Sequence, residues 1–253
     1  MRFFTILFFM IIQSYLSSGQ IDSSLSARNN KSLLEVNPDI PLETKFPISL
    51  YKTATIQSQN LYNGRLYYVY DSRMEEHQFF EDRKWQNGVV FYDGQRFDSI
   101  PMVYDIVKDE LITKHFYGDY QLLQSEKVDY FLKNGHAFKR MEAGKDINSQ
   151  MRTGFYDVRY DGKTKLLIRR SKQRQEKIVE KRVITYFPEK DFYYIRKDDR
   201  YHSVRSKKSV FGLFPDNKKE LRKSLRDANI KFKKNREAAI VVIVATYDTL
   251  AKP

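Results

Sequence analysis

The sequence predicts a mainly β protein: antiparallel hairpins forming a curved sheet, sandwich or open barrel, followed by a C-terminal helical pair. Three observations carry this. Turn dipeptides such as Asn134-Gly135 and Asp93-Gly94 recur between aromatic and β-branched runs. Tyr and Phe, at 18 each, outweigh ten Gly and one Trp, a composition that suits pleated, half-buried strands. After Ser206 the apolar spacing changes to a helical period.

The first nineteen residues come first in chain order. Arg2, an apolar run from Phe3 to Ile12 and the small residues Ser17-Ser18-Gly19 have the order of a secretory signal peptide. The run is too short for a span that needs about twenty apolar residues. Cleavage after Gly19 leaves Gln20 first, and residues 20–45, rich in Ser and Asn, read as a poorly ordered leader. With zero Cys there is no disulfide, no thiolate metal site and no lipid-carrying cysteine. These features predict an unlipidated protein exported to a bacterial envelope, in the periplasm, at the cell surface or outside, with no transmembrane span after cleavage.

The β domain is expected over residues 46–205. Two-residue turns are predicted at Asn63-Gly64, Asp93-Gly94, Asn134-Gly135, Asp161-Gly162 and Asp198-Asp199, where the positive φ of a type I′ turn is tolerated. A loop at Asn134-Gly135 pairs Phe131 with Phe138 and Leu132 with Ala137. A sixth hairpin is predicted at Lys108-Asp109-Glu110. The uneven spacing of the turns argues against a propeller or solenoid. Charges such as Arg159, Lys165 and Arg169 within the strands argue against an outer-membrane barrel.

The basic segment 206–253 is expected to pack on the sheet as helices. Pro215 sits at a helix start, and Leu221, Leu225 and Ala228 share a face within Asp216–Ala228. Asn235 can cap a second helix with Glu237 in its first turn. Ala238–Ala245 is apolar all round, which implies burial, and its β-branched residues leave a buried strand open.

The formal net charge is +13, yet 25 Lys+Arg and nine acids lie between Lys163 and Arg236. Such a surface attracts polyanions or merely solubilises. The candidate anion-binding residues are Arg196, Lys197 and Arg200, interleaved with aromatics, and Lys218, Lys219 and Arg222 on the first helix. An amphipathic hairpin and a core-packed helix yield the same strings, and strand and helix composition favour that plainer reading.

No Gly-x-Ser-x-Gly, Walker loop, Gly-x-Gly-x-x-Gly or His-Glu-x-x-His occurs, so no cofactor and no metal are expected. Nor is there a dedicated nucleic-acid motif. Glu75-Glu76-His77 with Glu81-Asp82 is the densest acid and imidazole cluster, and on a helix His77 and Glu81 would share a face. A solvated connecting segment explains it better. His136 falls in a hairpin turn and His115 at a strand end, where an exposed polar residue needs no further reason.

Gly154-Phe155-Tyr156-Asp157-Val158-Arg159-Tyr160-Asp161-Gly162-Lys163, Phe192-Tyr193-Tyr194-Ile195, Ser206-Lys207-Lys208-Ser209 and the tail from Lys218 to Tyr247-Asp248 resemble a group of uncharacterised exported proteins of gram-negative bacteria. The resemblance implies a β-rich body with a Lys-rich C-terminal helix, and brings no activity or site residue. The expected function is a non-enzymatic binding or structural module of the envelope. Its cationic C-terminal third would meet an anionic component, a lipid head group or acidic glycan. The alternative is a hydrolase of envelope glycan or peptide using unassigned carboxylates. Carboxylates converging with a histidine in a cleft would favour the hydrolase, and a cationic surface without such convergence would favour binding.

Overall fold

The computed structural model describes residues 60–70, 76–115 and 117–251; the predicted signal segment, the predicted leader and Glu75 lie outside the described residues. Along the chain run β1 (Arg65–Leu66), β2 (Gln86–Tyr92), β3 (Gln95–Asp105), β4 (Glu110–Lys114) and β5 (Tyr120–Leu122). They are followed by β6 (Val128–Lys133), β7 (His136–Met141), β8 (Gly154–Asp161) and β9 (Lys165–Arg169). Then come β10 (Gln175–Val179), β11 (Arg182–Tyr186), β12 (Phe192–Lys197) and β13 (Arg200–Val204). Helices α1 (Lys207–Gly212), α2 (Lys218–Asp227) and α3 (Arg236–Leu250) close the described chain. Eleven strands form one open antiparallel sheet in the order β1-β5-β4-β3-β2-β6-β7-β8-β9-β12-β13, while β10 and β11 pair only with each other.

The turn chemistry explains most of the hairpins. Asp93 and Gly94 adopt φ of 51° and 77°, Asn134 and Gly135 52° and 74°, and Asp198 and Asp199 50° and 57°. Phe131 pairs with Phe138 and Leu132 with Ala137, and the two phenyl rings stack at 4.8 Å. Asp109, at φ 65°, turns β3 into β4.

Two expected turns differ. Asn63-Gly64 makes no hairpin: it leads from a short 3₁₀ turn into β1, which pairs with β5. Asp161 pairs with Lys165, so the β8–β9 loop has three residues, starting at Gly162. Neither glycine has a positive φ. A Cβ at Gly64 would collide with the Leu122 carbonyl, and one at Gly162 with the Asp248 carboxylate. These glycines are there for close approach.

The sheet curls strongly. Strands β3 and β8 are four places apart, roughly 19 Å across a flat sheet at ~4.8 Å per strand. Yet Tyr104 of β3 lies 5.9 Å from Phe155 of β8, ring to ring, and contacts Phe131 and Phe138 at 5.1 and 5.0 Å. Register shifts at Gly88/Val90 and Phe91/Tyr92 supply the extra bend and twist. Asp109 ties the curl shut: it accepts a 2.5 Å bond from the Tyr104 hydroxyl and lies 3.4 Å from Arg169 Nη2. Burial pushes the Asp109 carboxyl up, although Tyr104 and Arg169 favour its charge.

The other half of the sheet is covered by helices. Leu166, Ile168, Tyr193, Ile195 and Val204 pack against Val210, Phe211, Phe214, Leu221, Leu225, Ile240, Ile243 and Val244. The run from Ala238 is therefore helical, because burial on several sides outweighs its β-branched composition. Asn235 caps α3, its side chain accepting from the Ala238 amide at 3.0 Å. Helix α1 was not evident from apolar spacing; Ser206 and Ser209 start it with a capping box. At its far end α3 is anchored by Asp248, which accepts from the Thr164 amide at 2.9 Å and the Tyr160 hydroxyl at 3.1 Å. Burial, with Asp248 alongside, pushes the Tyr160 phenol up to about 12. Among the described residues no helix is long and apolar enough to cross a membrane.

Candidate functional site

A cleft of about 350 Å³ opens where the sheet meets the start of α3. Four parts of the fold supply its central polar groups, and Glu81, before β2, and Glu189 complete the lining. His136 is the first residue of β7, and Asp157 and Arg159 stand on β8, where a register shift between Val158 and Tyr160 leaves Arg159 as the extra, bulged residue. Arg170 and Asp191 follow β9 and precede β12, which are adjacent strands. Glu237 sits in the first turn of α3, where a carboxylate is favoured by the helix dipole.

Arg170 joins these groups. Its Nε and Nη2 donate to Asp157 Oδ2 at 3.0 and 2.6 Å, and its Nη1 donates to Asp191 Oδ2 at 2.7 Å. The same Nη1 lies 2.9 Å from Glu237 Oε2, while Arg159 Nε lies 2.6 Å from Glu237 Oε1. Burial alone would lower the Arg170 pKa, but Asp157, Glu237 and Asp191 together raise it, so the guanidinium stays charged.

His136 stands between two carboxylates. Its Nδ1 is 2.8 Å from Asp157 Oδ2 and its Nε2 is 3.4 Å from Glu81 Oε1. Phe80 packs edge-on against the imidazole at 5.0 Å. Glu81 adopts φ 58°, strained for a side chain of its size, and accepts a 2.5 Å hydrogen bond from Asn134 Nδ2. His136 is thus not the exposed turn residue that its sequence position suggests: its side chain is 15% exposed and tied into the cleft.

Asp191 is the perturbed acid of the cleft. Burial raises its pKa, Glu189 and Glu237 raise it further, and Arg170 opposes them. Glu81, Asp157, Glu189, Asp191 and Glu237 stand against Arg159, Arg170, His136 and Lys172, which lies 3.5 Å from Glu189, so the carboxylates are one more than the basic groups. A surplus of carboxylates accepts hydrogen bonds from hydroxyl or ammonium groups and repels anions.

The predicted anion-binding residues lie elsewhere. In the β12–β13 turn Arg196 pairs with Asp199 at 2.7 Å and Lys197 with Asp198 at 3.0 Å, so this pair of cations is already satisfied. Arg200 is exposed in the same turn region. Lys218 and Lys219 open α2 on its exposed side, and Arg222 lies over the Phe211 ring at 5.7 Å. The two groups are neighbours in space to the extent that the charge of Lys197 feels Asp216, just before α2.

Among the described residues Glu76 and His77 lie outside any helix. His77 Nδ1 accepts from the Phe79 amide, and Glu76 accepts from the Phe187 amide. Among the described residues no group of three or more His, Asp or Glu is placed to hold a metal ion. Comparison with protein-family models, curated proteins and solved structures returns no match.

Proposed function

We propose that this is an exported envelope protein acting as a binding module, and that its basic C-terminal segment holds an anionic envelope component, a lipid head group or acidic glycan. One observation carries the reading. From Arg205 to Arg236 there are twelve Lys+Arg against three acids, and every one of the twelve is exposed. Among the described residues none of them enters an ion pair, in contrast to the satisfied cations of the β12–β13 turn and the cleft. The signal-like first nineteen residues and the resemblance to exported proteins support the location.

Exposed cations act through a field that salt screens over about 10 Å at 0.1 M. Residues 20–253 should therefore be retained on heparin and on anionic liposomes at low salt and released as salt rises. Lys218→Glu with Lys219→Glu and Arg222→Glu should elute at clearly lower salt while keeping the wild-type circular dichroism. Equal retention of the triple variant would refute the assignment.

The cleft favours a second reading, hydrolysis of an envelope glycan or peptide. Carboxylates and a histidine do converge there, and burial raises the pKa of Asp191 against the opposing Arg170, the direction a proton donor needs. Turnover would decline as pH rises through that raised value, because the acid form is the one that donates. Assay of a panel of envelope glycans and peptides should show this falling limb, and Asp191→Asn should abolish turnover; no turnover on any member excludes the reading.

A further inference from the structure

The β10–β11 hairpin stands apart from the eleven-stranded sheet. Glu180 and Lys181 turn it, at φ of 50° and 61°, and all of β10 and the first three residues of β11 are exposed. Of its outer rungs, Ile178–Val183 is apolar, while Val179 faces Arg182 and Ile184 faces Lys177. Ile178 is 77% exposed and Val183 55%; the two are direct partners, so their side chains share one face. Val179 and Ile184, at 38% and 36%, project from the opposite face. Exposed apolar side chains on both faces of a two-stranded ribbon are costly in water, and the ribbon is too small to bury them itself.

The charges around these rungs are mostly positive. Lys177, Lys181 and Arg182 flank the apolar residues, and Glu180 is the acid at the tip. Glu176 is held by Arg174 at 2.6 Å, which neutralises it. A folded protein partner would cover one face of the ribbon and leave the other in water. The interfacial zone of a bilayer surrounds an inserted ribbon on both faces, and lysine and arginine stems can reach out of it to the phosphates.

We infer that the β10–β11 hairpin docks the protein on an anionic phospholipid bilayer, with Ile178, Val179, Val183 and Ile184 in the interface and Lys177, Lys181 and Arg182 on the head groups. The surface is distinct from the basic helices, and only the choice of an envelope membrane rests on the reading proposed above.

The test is co-sedimentation of residues 20–253 with phosphatidylcholine vesicles, with and without phosphatidylglycerol. The wild type should bind only the anionic vesicles. Ile178→Asp with Val183→Asp should weaken that binding by about tenfold or more, since two exposed apolar side chains are removed from the interface. Both positions are exposed, so circular dichroism and heparin retention should be unchanged. Equal vesicle binding by wild type and variant overturns the inference, as does a wild type that ignores anionic vesicles. Self-association lost in the variant without vesicle binding also overturns it and points to a second copy of the chain. Heparin retention without vesicle binding rejects the hairpin alone, whereas loss of both rejects the binding-module reading too.

Discussion

Arg170 has 8% side-chain exposure and three carboxylates around its guanidinium. Two charges leave water cheaply only when each is matched, so the value of this residue lies in what its loss would strand. Arg170→Met would leave Asp157, fully buried, with His136 as its side-chain partner. We expect a loss of about 3–5 kcal/mol in urea unfolding, and partial recovery when Asp157→Asn is added. A loss below 1 kcal/mol would show that water reaches the site. None of this was legible in the sequence. Arg170 lies 13 residues from Asp157 and 21 from Asp191, spacings that match no helical or strand period. Of the cleft residues, His136 in its turn, Glu81 in an acid cluster, Arg159 in a strand and Glu237 in a helix start each have a local signal, and nothing in the sequence brings them together.

At the scale of elements, the same Asx-Gly signal serves two purposes. At Asp93-Gly94 and Asn134-Gly135 it supplies positive φ and both hairpins form, the second in the expected register. At Gly64 and Gly162 it supplies room, which depends on a distant partner and has no local signature. Gly162→Ala should accordingly loosen the last turn of α3, because the new Cβ meets the Asp248 carboxylate and the Tyr160 ring. We expect ~1–3 kcal/mol of destabilisation. Hydrogen exchange should place it at the Thr164 amide and the end of α3. Gly94→Ala, with open space at its Cβ but φ of 77°, should cost ~1–2 kcal/mol and leave α3 protected. The β10–β11 hairpin has no turn signal in its sequence for a related reason: Glu180-Lys181 adopts positive φ without the residues that favour it.

For the whole molecule, class was readable and arrangement was not. The change of apolar period at Ser206 separated sheet from helices, and Asn235 marked the start of α3. The curl that brings Tyr104 onto Phe155, and Asp109 onto β8, arises from bulges and long-range packing that no window of sequence contains. One rung of the sheet has a consequence for how such a chain could change over time. Arg169 and Phe192 are direct partners, so the chain leaves and rejoins the sheet at the same level. Below the hairpin, Lys190 donates to the Ser171 carbonyl at 2.8 Å and Gln173 to the Pro188 carbonyl at 3.1 Å, which keeps the stem closed. Residues 175–186 are therefore an exchangeable cassette. Replacing them with Asn-Gly should leave the unfolding midpoint within a few degrees, since most of what is removed already faces water. A larger fall in a thermal melt would show that the cassette supports the sheet. Tolerance would mean that descendants of this chain can acquire, resize or trade what they present at this point while the register of the eleven strands is inherited unchanged.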